Sequence, residues 1–290
     1  MSAEPTRHSF VSQRLRLNYI DWGNKDAPPL VLVHGGRDHC RNWDWIAARF
    51  RKDWHIVAPD LRGHGDSEWP SDGNYNIQDY VYDLHRLFQE AKLSKVTLIG
   101  HSLGGRIVLR YAGIFPEQIV KLVALEGFGP GPANMQRRFG RPLHERMQLW
   151  TEEKDELAKH APLRYPSFEA ALARMQEANP NLSAEQARHL TKNSLKDNGD
   201  GTVSWKFDNA VRVFSPYDMA DADVNELWSR IDCPTLLING DKSWSPNAEA
   251  DGKTKFFKNA KAVTVKDAGH WMHHDQLDVT CGVLQDFLKA

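Results

Sequence analysis

A serine between two glycines, where a predicted strand meets a predicted helix, most limits what this 290-residue chain can fold into. Residues 96–99 are apolar and β-branched, and residues 100–104 read Gly-His-Ser-Leu-Gly. Residues 106–115 then carry apolar side chains at helical spacing, and Pro116 ends that pattern. Small residues two positions before and after Ser102 permit the sharp turn of the G-x-S-x-G nucleophile elbow. The pattern predicts a serine hydroxyl presented at the end of a β-strand.

Such a serine needs a base, an acid that orients the base, and donors for an oxyanion, because a hydroxyl is a weak nucleophile near neutral pH. His270 is the predicted base, since it follows a glycine after the predicted strand at residues 262–265. A final amphipathic helix is predicted over residues 277–288. The backbone N–H groups of Gly36, in a His-Gly-Gly turn after a strand, and of Leu103 are the predicted oxyanion hole.

These motifs resemble those of the α/β-hydrolases, in that family's order and spacing and along almost the whole chain. Residues 60–67, Asp-Leu-Arg-Gly-His-Gly-Asp-Ser, add to the resemblance as a mainly structural loop. The resemblance implies an α/β fold, with a mostly parallel doubly wound sheet and a helical lid inserted after the sixth strand. The core is predicted over residues 1–128 and 229–290, and the lid over residues 129–228. A hairpin turn is predicted in the lid at residues 198–201.

Two carboxylates compete for the role of the acid. In the family the acid commonly follows the seventh strand in a Gly-x-x-Asp pattern, but here that position holds Ser243, with Asp241 two residues earlier. A second family position lies after the sixth strand, where Glu126 ends an apolar run at residues 121–125. This placement resembles haloalkane dehalogenases with a sixth-strand glutamate and the serine hydrolase-like branch. We expect Glu126 to be the acid, with Asp241 as the alternative.

Ser102 distinguishes the chain from dehalogenases and epoxide hydrolases of this fold, which attack with an aspartate. The resemblance therefore implies a serine hydrolase that forms an acyl-enzyme on a small-molecule carboxylic ester or thioester. Cleavage of a carbon–carbon bond or a lactone by the same triad is the alternative. A non-enzymatic or slow-turnover receptor for a small ligand is an alternative of another class.

Several aromatic residues near these motifs are candidates for the substrate pocket, with ordinary packing as the alternative for each. They are Trp43, Trp244, Trp271 and Phe128 in the core loops, and Trp150 and Phe139 in the lid.

Composition and cysteine spacing indicate which partners and which cellular location to expect. The net charge of −1 predicts no nucleic-acid or membrane partner, and no apolar run reaches the roughly 18–20 residues of a membrane span. The start of the chain lacks the apolar stretch of a signal peptide, and Cys40, Cys233 and Cys281 lack paired spacing, so a cytoplasmic protein with free thiols is expected. No cofactor is required. No metal is expected at residues 273–275, His-His-Asp, and the choice between monomer and homodimer stays open.

Overall fold

The computed structural model describes residues 4–129 and 140–289 of the chain. The strands within these ranges are β1 (Thr6–Ser12), β2 (Leu15–Asp21), β3 (Pro29–Val33), β4 (His55–Pro59), β5 (Val96–His101), β6 (Ile119–Leu125), β7 (Leu195–Asp197), β8 (Val203–Trp205), β9 (Thr235–Gly240) and β10 (Ala260–Val265). The α-helices are α1 (Asp44–Phe50), α2 (Ile77–Glu90), α3 (Leu103–Ile114), α4 (Leu143–Ala158), α5 (Phe168–Ala178), α6 (Ala184–Ser194), α7 (Asp221–Ser229), α8 (Met272–Asp275) and α9 (Leu277–Lys289).

Eight of these strands form one sheet in the order β1-β2-β4-β3-β5-β6-β9-β10. Strand β2 runs antiparallel to both β1 and β4, and the remaining pairs are parallel. The carboxyl ends of β3, β5, β6, β9 and β10 therefore lie along one edge of the sheet, where ligands bind in open α/β sheets. The predicted α/β class and mostly parallel sheet are confirmed.

Strand β3 shows why the central strands are continuous apolar runs. Val31 and Val33 face one core cluster, with side chains from α2 and α3, while Leu30 and Leu32 face the other, with side chains from α1 and α9. Because helices cover both faces of the sheet, successive residues are buried on opposite sides and the usual polar alternation disappears.

The segment between β6 and β9, the insertion, lacks in its described residues the alternating strands and helices of the core. Helices α4, α5 and α6 and the β7–β8 hairpin lie in it, and the hairpin was predicted. A capping box precedes α6, since Ser183 Oγ accepts from the Gln186 N–H at 3.1 Å and Gln186 Oε1 accepts from the Ser183 N–H at 2.9 Å. Helix α7 packs on α3, and its Trp228 joins a core cluster. Helix α7, at the end of the predicted lid, therefore packs against the core.

Other predictions from composition concern single features of the chain. All three cysteines are free and buried. In the part of the chain that the structure describes, no helix is both long and apolar enough to cross a membrane. Within the same residues, no group of three or more His, Cys, Asp or Glu side chains is arranged to hold a metal ion. Phe139, a candidate for the substrate pocket, lies outside the described residues.

Candidate active site

Ser102 occupies the sharp turn between β5 and α3, with φ 53° and ψ −112°. Its N–H donates to the Leu125 carbonyl at 3.0 Å, which ties the turn to the end of β6. The neighbouring chain passes so close that a Cβ at Gly104 would lie 2.2 Å from the Val33 carbonyl oxygen. Only glycine fits there, as the motif predicts. Helix α3 begins at Leu103, earlier than residue 106, because the turn leads directly into it.

A chain of hydrogen bonds joins three of the predicted residues. Ser102 Oγ lies 2.9 Å from His270 Nε2, and His270 Nδ1 donates to Glu126 Oε2. Ser102 follows β5, Glu126 follows β6 and His270 lies in the loop after β10, so the sheet edge brings together residues up to 168 positions apart. This arrangement can remove a proton from the serine hydroxyl and stabilise the imidazolium that results.

Glu126 is fully buried, and its carboxylate has three donors. Besides His270, it accepts from the Ser243 hydroxyl at 2.9 Å and from the Gly240 N–H at 3.3 Å. These bonds compensate for removing a negative charge from water. Glu126 also has a left-handed backbone, with φ 59°, which is uncommon outside glycine and turns the chain away at the end of β6.

Asp241, the alternative acid, lies elsewhere. Its side chain is exposed, and its carboxylate accepts from the Ala268 N–H at 3.2 Å, which fastens the loop after β10. Of the two carboxylates left open by the sequence, Glu126 is the one that contacts His270.

Gly36 and Leu103 lie side by side at the predicted oxyanion hole, since a Cβ at Gly36 would be 4.0 Å from Leu103 Cδ2. Both residues line the same cavity as Ser102. No residue in the described ranges accepts a hydrogen bond from the Gly36 N–H. Leu103 is the first residue of α3, where N–H groups have no helical acceptor and the helix dipole favours negative charge. Both N–H groups are therefore compatible with the predicted oxyanion hole.

Two histidines beside the elbow support it rather than compete with His270. The buried His101 ring donates through Nε2 to the His270 carbonyl at 2.8 Å, and burial holds the pKa of His101 well below its usual range. His34 accepts from the Leu61 N–H at 3.0 Å, and burial lowers the pKa of His34 to about 4. Both rings are therefore neutral near pH 7, and neither contacts the Ser102 hydroxyl. Sequence reasoning did not find the bond from His101.

A cavity of about 960 Å³ opens above Ser102. Trp244 and Trp271 line it as predicted, and the Trp244 ring, 65% exposed, lies 4.5 Å from the His270 ring. The insertion supplies further aromatic walls, among them Tyr165, Trp205 and Phe207.

The other predicted pocket aromatics in the described residues lie elsewhere. Trp43 is fully buried, because it lies directly before helix α1 in the core cluster on that side of the sheet, and it stacks on His273 with ring centroids 5.0 Å apart. Phe128 is 3% exposed and packs into the core cluster beneath α2 and α3. Trp150 is half-buried on α4 and is absent from the cavity wall. The pocket prediction is therefore wrong for these three residues.

A family model described as "alpha/beta hydrolase fold" matches residues 28–277. The chain belongs to the α/β-hydrolase family. This α/β-hydrolase is 25% identical to a serine hydrolase-like protein of Danio rerio, over 92% of the chain and 83% of the relative. It is 26% identical to esterase Rv0045c of Mycobacterium tuberculosis, over 92% of the chain and 86% of the relative. The protein is therefore a hydrolase.

A solved structure, the hypothetical protein PA1622 of Pseudomonas aeruginosa PAO1, superposes on this α/β-hydrolase with a TM-score of 0.84. The match covers 98% of the chain and 99% of that protein, at 21% sequence identity. At this identity the likeness concerns the fold alone.

Proposed function

We propose that this α/β-hydrolase cleaves a small-molecule carboxylic ester or thioester through an acyl-enzyme on Ser102. The observation that carries the proposal is the hydrogen-bonded series from Ser102 Oγ to His270 to the buried Glu126 carboxylate. Similarity to an esterase over most of the chain agrees with it.

In the first half of the reaction, Ser102 Oγ attacks the substrate carbonyl carbon while His270 Nε2 takes the hydroxyl proton. The carbonyl oxygen becomes an oxyanion, which accepts hydrogen bonds from the N–H groups of Gly36 and Leu103. The bond to the leaving alcohol or thiol then breaks, and His270 returns the proton to that group. Glu126 keeps the ring oriented and balances its positive charge.

In the second half, His270 takes a proton from a water molecule, and the resulting hydroxide attacks the acyl carbon. Collapse of the second tetrahedral intermediate releases the carboxylic acid, and the proton returns to Ser102 Oγ. The residues thus end as they began.

Two measurements on the purified chain test this proposal. We expect many turnovers per molecule on p-nitrophenyl acetate and butyrate, and one fluorophosphonate adduct on the peptide that contains Ser102. Ser102→Ala should remove both signals while the protein stays folded by circular dichroism. A single stoichiometric burst without turnover would favour the receptor alternative. Labelling that survives Ser102→Ala would refute the assignment of the nucleophile.

A further inference from the structure

Arg37 directly follows Gly36 in the loop after β3, and its side chain is exposed to the cavity above Ser102. Its backbone is left-handed, with φ 61°, a conformation uncommon for arginine. Such outliers persist where the surrounding structure holds them and are frequent at ligand sites. Across residues 4–129 and 140–289, no side chain or carbonyl forms a hydrogen bond or ion pair with Arg37. The cation therefore faces the cavity without a counter-charge.

Arg212 brings a second guanidinium to the same cavity from the insertion. It ends a short 3-10 turn (Asn209–Arg212) and lies over the Phe207 ring, 5.6 Å from the ring centroid. No carboxylate in the described ranges pairs with it. Both guanidinium groups line this cavity, and partial burial followed by repulsion from the charge of Arg212 lowers the pKa of Arg37. An anion between them would relieve that repulsion.

The rest of the cavity wall does not supply such an anion. Among the described residues, five cationic and two anionic side chains line the cavity. One of the two carboxylates, Asp218, already pairs with Arg106 and Arg110, and the other, Asp275, accepts from the Gly269 N–H at 2.8 Å. The cavity is therefore positive although the chain as a whole carries a net charge of −1. A concave positive wall concentrates anionic ligands.

We infer that Arg37 and Arg212 bind an oxyanionic group, a carboxylate or a phosphate, on the substrate that is cleaved at Ser102. The planar guanidinium suits both groups, because its N–H donors pair with two oxygens at once. Consecutive Cα atoms lie about 3.8 Å apart, so the Arg37 backbone adjoins the oxyanion hole at Gly36. The anion would thus lie a short acyl chain away from the scissile carbonyl. This inference rests on the proposed acyl-enzyme function.

A matched pair of esters tests the site with the full chain. The mono-p-nitrophenyl ester of glutaric acid carries a free carboxylate, and its methyl ester has nearly the same length without the charge. We expect kcat/KM to be at least about tenfold higher for the anionic ester, mainly through KM. Added salt should reduce that preference by screening the charges. A phosphate-bearing ester of the same length shows which oxyanion is preferred.

The variants Arg37→Asn and Arg212→Gln should each lower the preference about tenfold. Asparagine tolerates the left-handed backbone at position 37, so this variant is compatible with folding. The matched control is Arg188→Gln, which removes an exposed cation outside the cavity wall that pairs with Glu169 and should leave the preference unchanged. Turnover of both esters without a preference, or a preference kept by both variants, would overturn the anion site and leave the acyl-enzyme proposal standing.

Calorimetry measures binding without turnover, so it tests the anion site independently of the acyl-enzyme proposal. Glutarate should bind the Ser102→Ala protein and should fail to bind the double variant Ser102→Ala, Arg37→Asn. If neither ester were hydrolysed and Ser102 were not labelled, the acyl-enzyme proposal would fail, and this binding would still decide the anion site. Equal glutarate binding to both proteins would refute it.

Discussion

Helix α3 in the core and helix α4 in the insertion are of similar length but are packed very differently. Nine of the 12 residues of α3 are buried, and none of the 16 residues of α4 is. Helix α3, which follows the elbow, is thus packed on most of its surface, whereas every residue of α4 in the insertion is at least partly exposed to solvent. This difference suggests a division in which the core fixes the reaction geometry and the insertion shapes the cavity.

The largest expected effect tests the core half of this division. Glu126→Gln should lower kcat about 10⁴-fold, because the imidazole loses its counter-charge and its preferred tautomer. The control Asp241→Asn should stay within a few-fold of the wild type, since among the described residues the Asp241 carboxylate bonds only to the backbone of the loop after β10. Initial rates on p-nitrophenyl butyrate measure both. Near-full turnover by Glu126→Gln with loss in Asp241→Asn would reverse the assignment.

Acid should weaken the core by several kcal/mol. Burial lowers the pKa of His34 and His39 to about 4, and of His64 and His274 to about 3. These folded pKa values lie below the unfolded value near 6.5, so the unfolded chain binds more protons and stability falls as the pH drops below about 6.5. Burial raises the pKa of Asp38 to about 7 and also raises the pKa of Asp83, so these two groups act in the opposite direction, but the four histidines outnumber them.

Urea unfolding at pH 7, 6 and 5 measures this effect. Each such histidine contributes up to roughly 1.4 kcal/mol per pH unit. A free energy of unfolding that stayed constant from pH 7 to pH 5 would show that these rings are not neutral in the folded core.

Truncation of one leucine in each region compares their packing directly. Leu122 on β6 is fully buried, so Leu122→Ala should lower the free energy of unfolding by about 2–5 kcal/mol. Leu157 on α4 is half-buried, so Leu157→Ala should cost less than about 1 kcal/mol. Urea titrations of both variants at pH 7 give the comparison. Equal losses would mean that the insertion is as integral to the folded state as the sheet.

The smallest expected effect concerns selectivity. Trp205 lines the cavity from the insertion, so Trp205→Ala should change the ratio of kcat/KM between long and short acyl esters by about tenfold. The rate of fluorophosphonate labelling at Ser102 should change much less. Trp150→Ala is the matched control, because Trp150 lies outside the cavity wall. If Trp205→Ala lowered kcat/KM equally for all esters, the insertion would have a structural role only.

The sequence predicted the parts of this molecule that depend on local pattern. The strand, the glycines and the helix around Ser102 are contiguous, and the unexpected carboxylate of Glu126 at the end of an apolar strand already indicated a buried partner. Those features specify the sheet, the elbow and the chain order of the site.

Contacts between distant segments were beyond such reasoning. The bond from Ser243 to Glu126 joins residues 117 positions apart, and the sequence showed only that a serine replaces the usual acid. The direction of an aromatic side chain depends equally on tertiary packing, which is why Trp43 turned out to face the sheet while Trp244 faces the cavity.

The hydrogen bonds that Ser102 and Glu126 make to neighbouring strands have a consequence for how the site behaves when the molecule unfolds. The Ser102 N–H is bonded to Leu125 and the Glu126 N–H to Ile238, so both groups are fixed by the centre of the sheet. Local fluctuations of a fold concentrate in segments with few buried contacts and spare such centres. The proton of the Ser102 amide should therefore exchange with solvent only when the whole sheet opens. On heating, the distance between Ser102 and Glu126 would therefore persist until the entire core unfolds, which would occur after the insertion has begun to unfold.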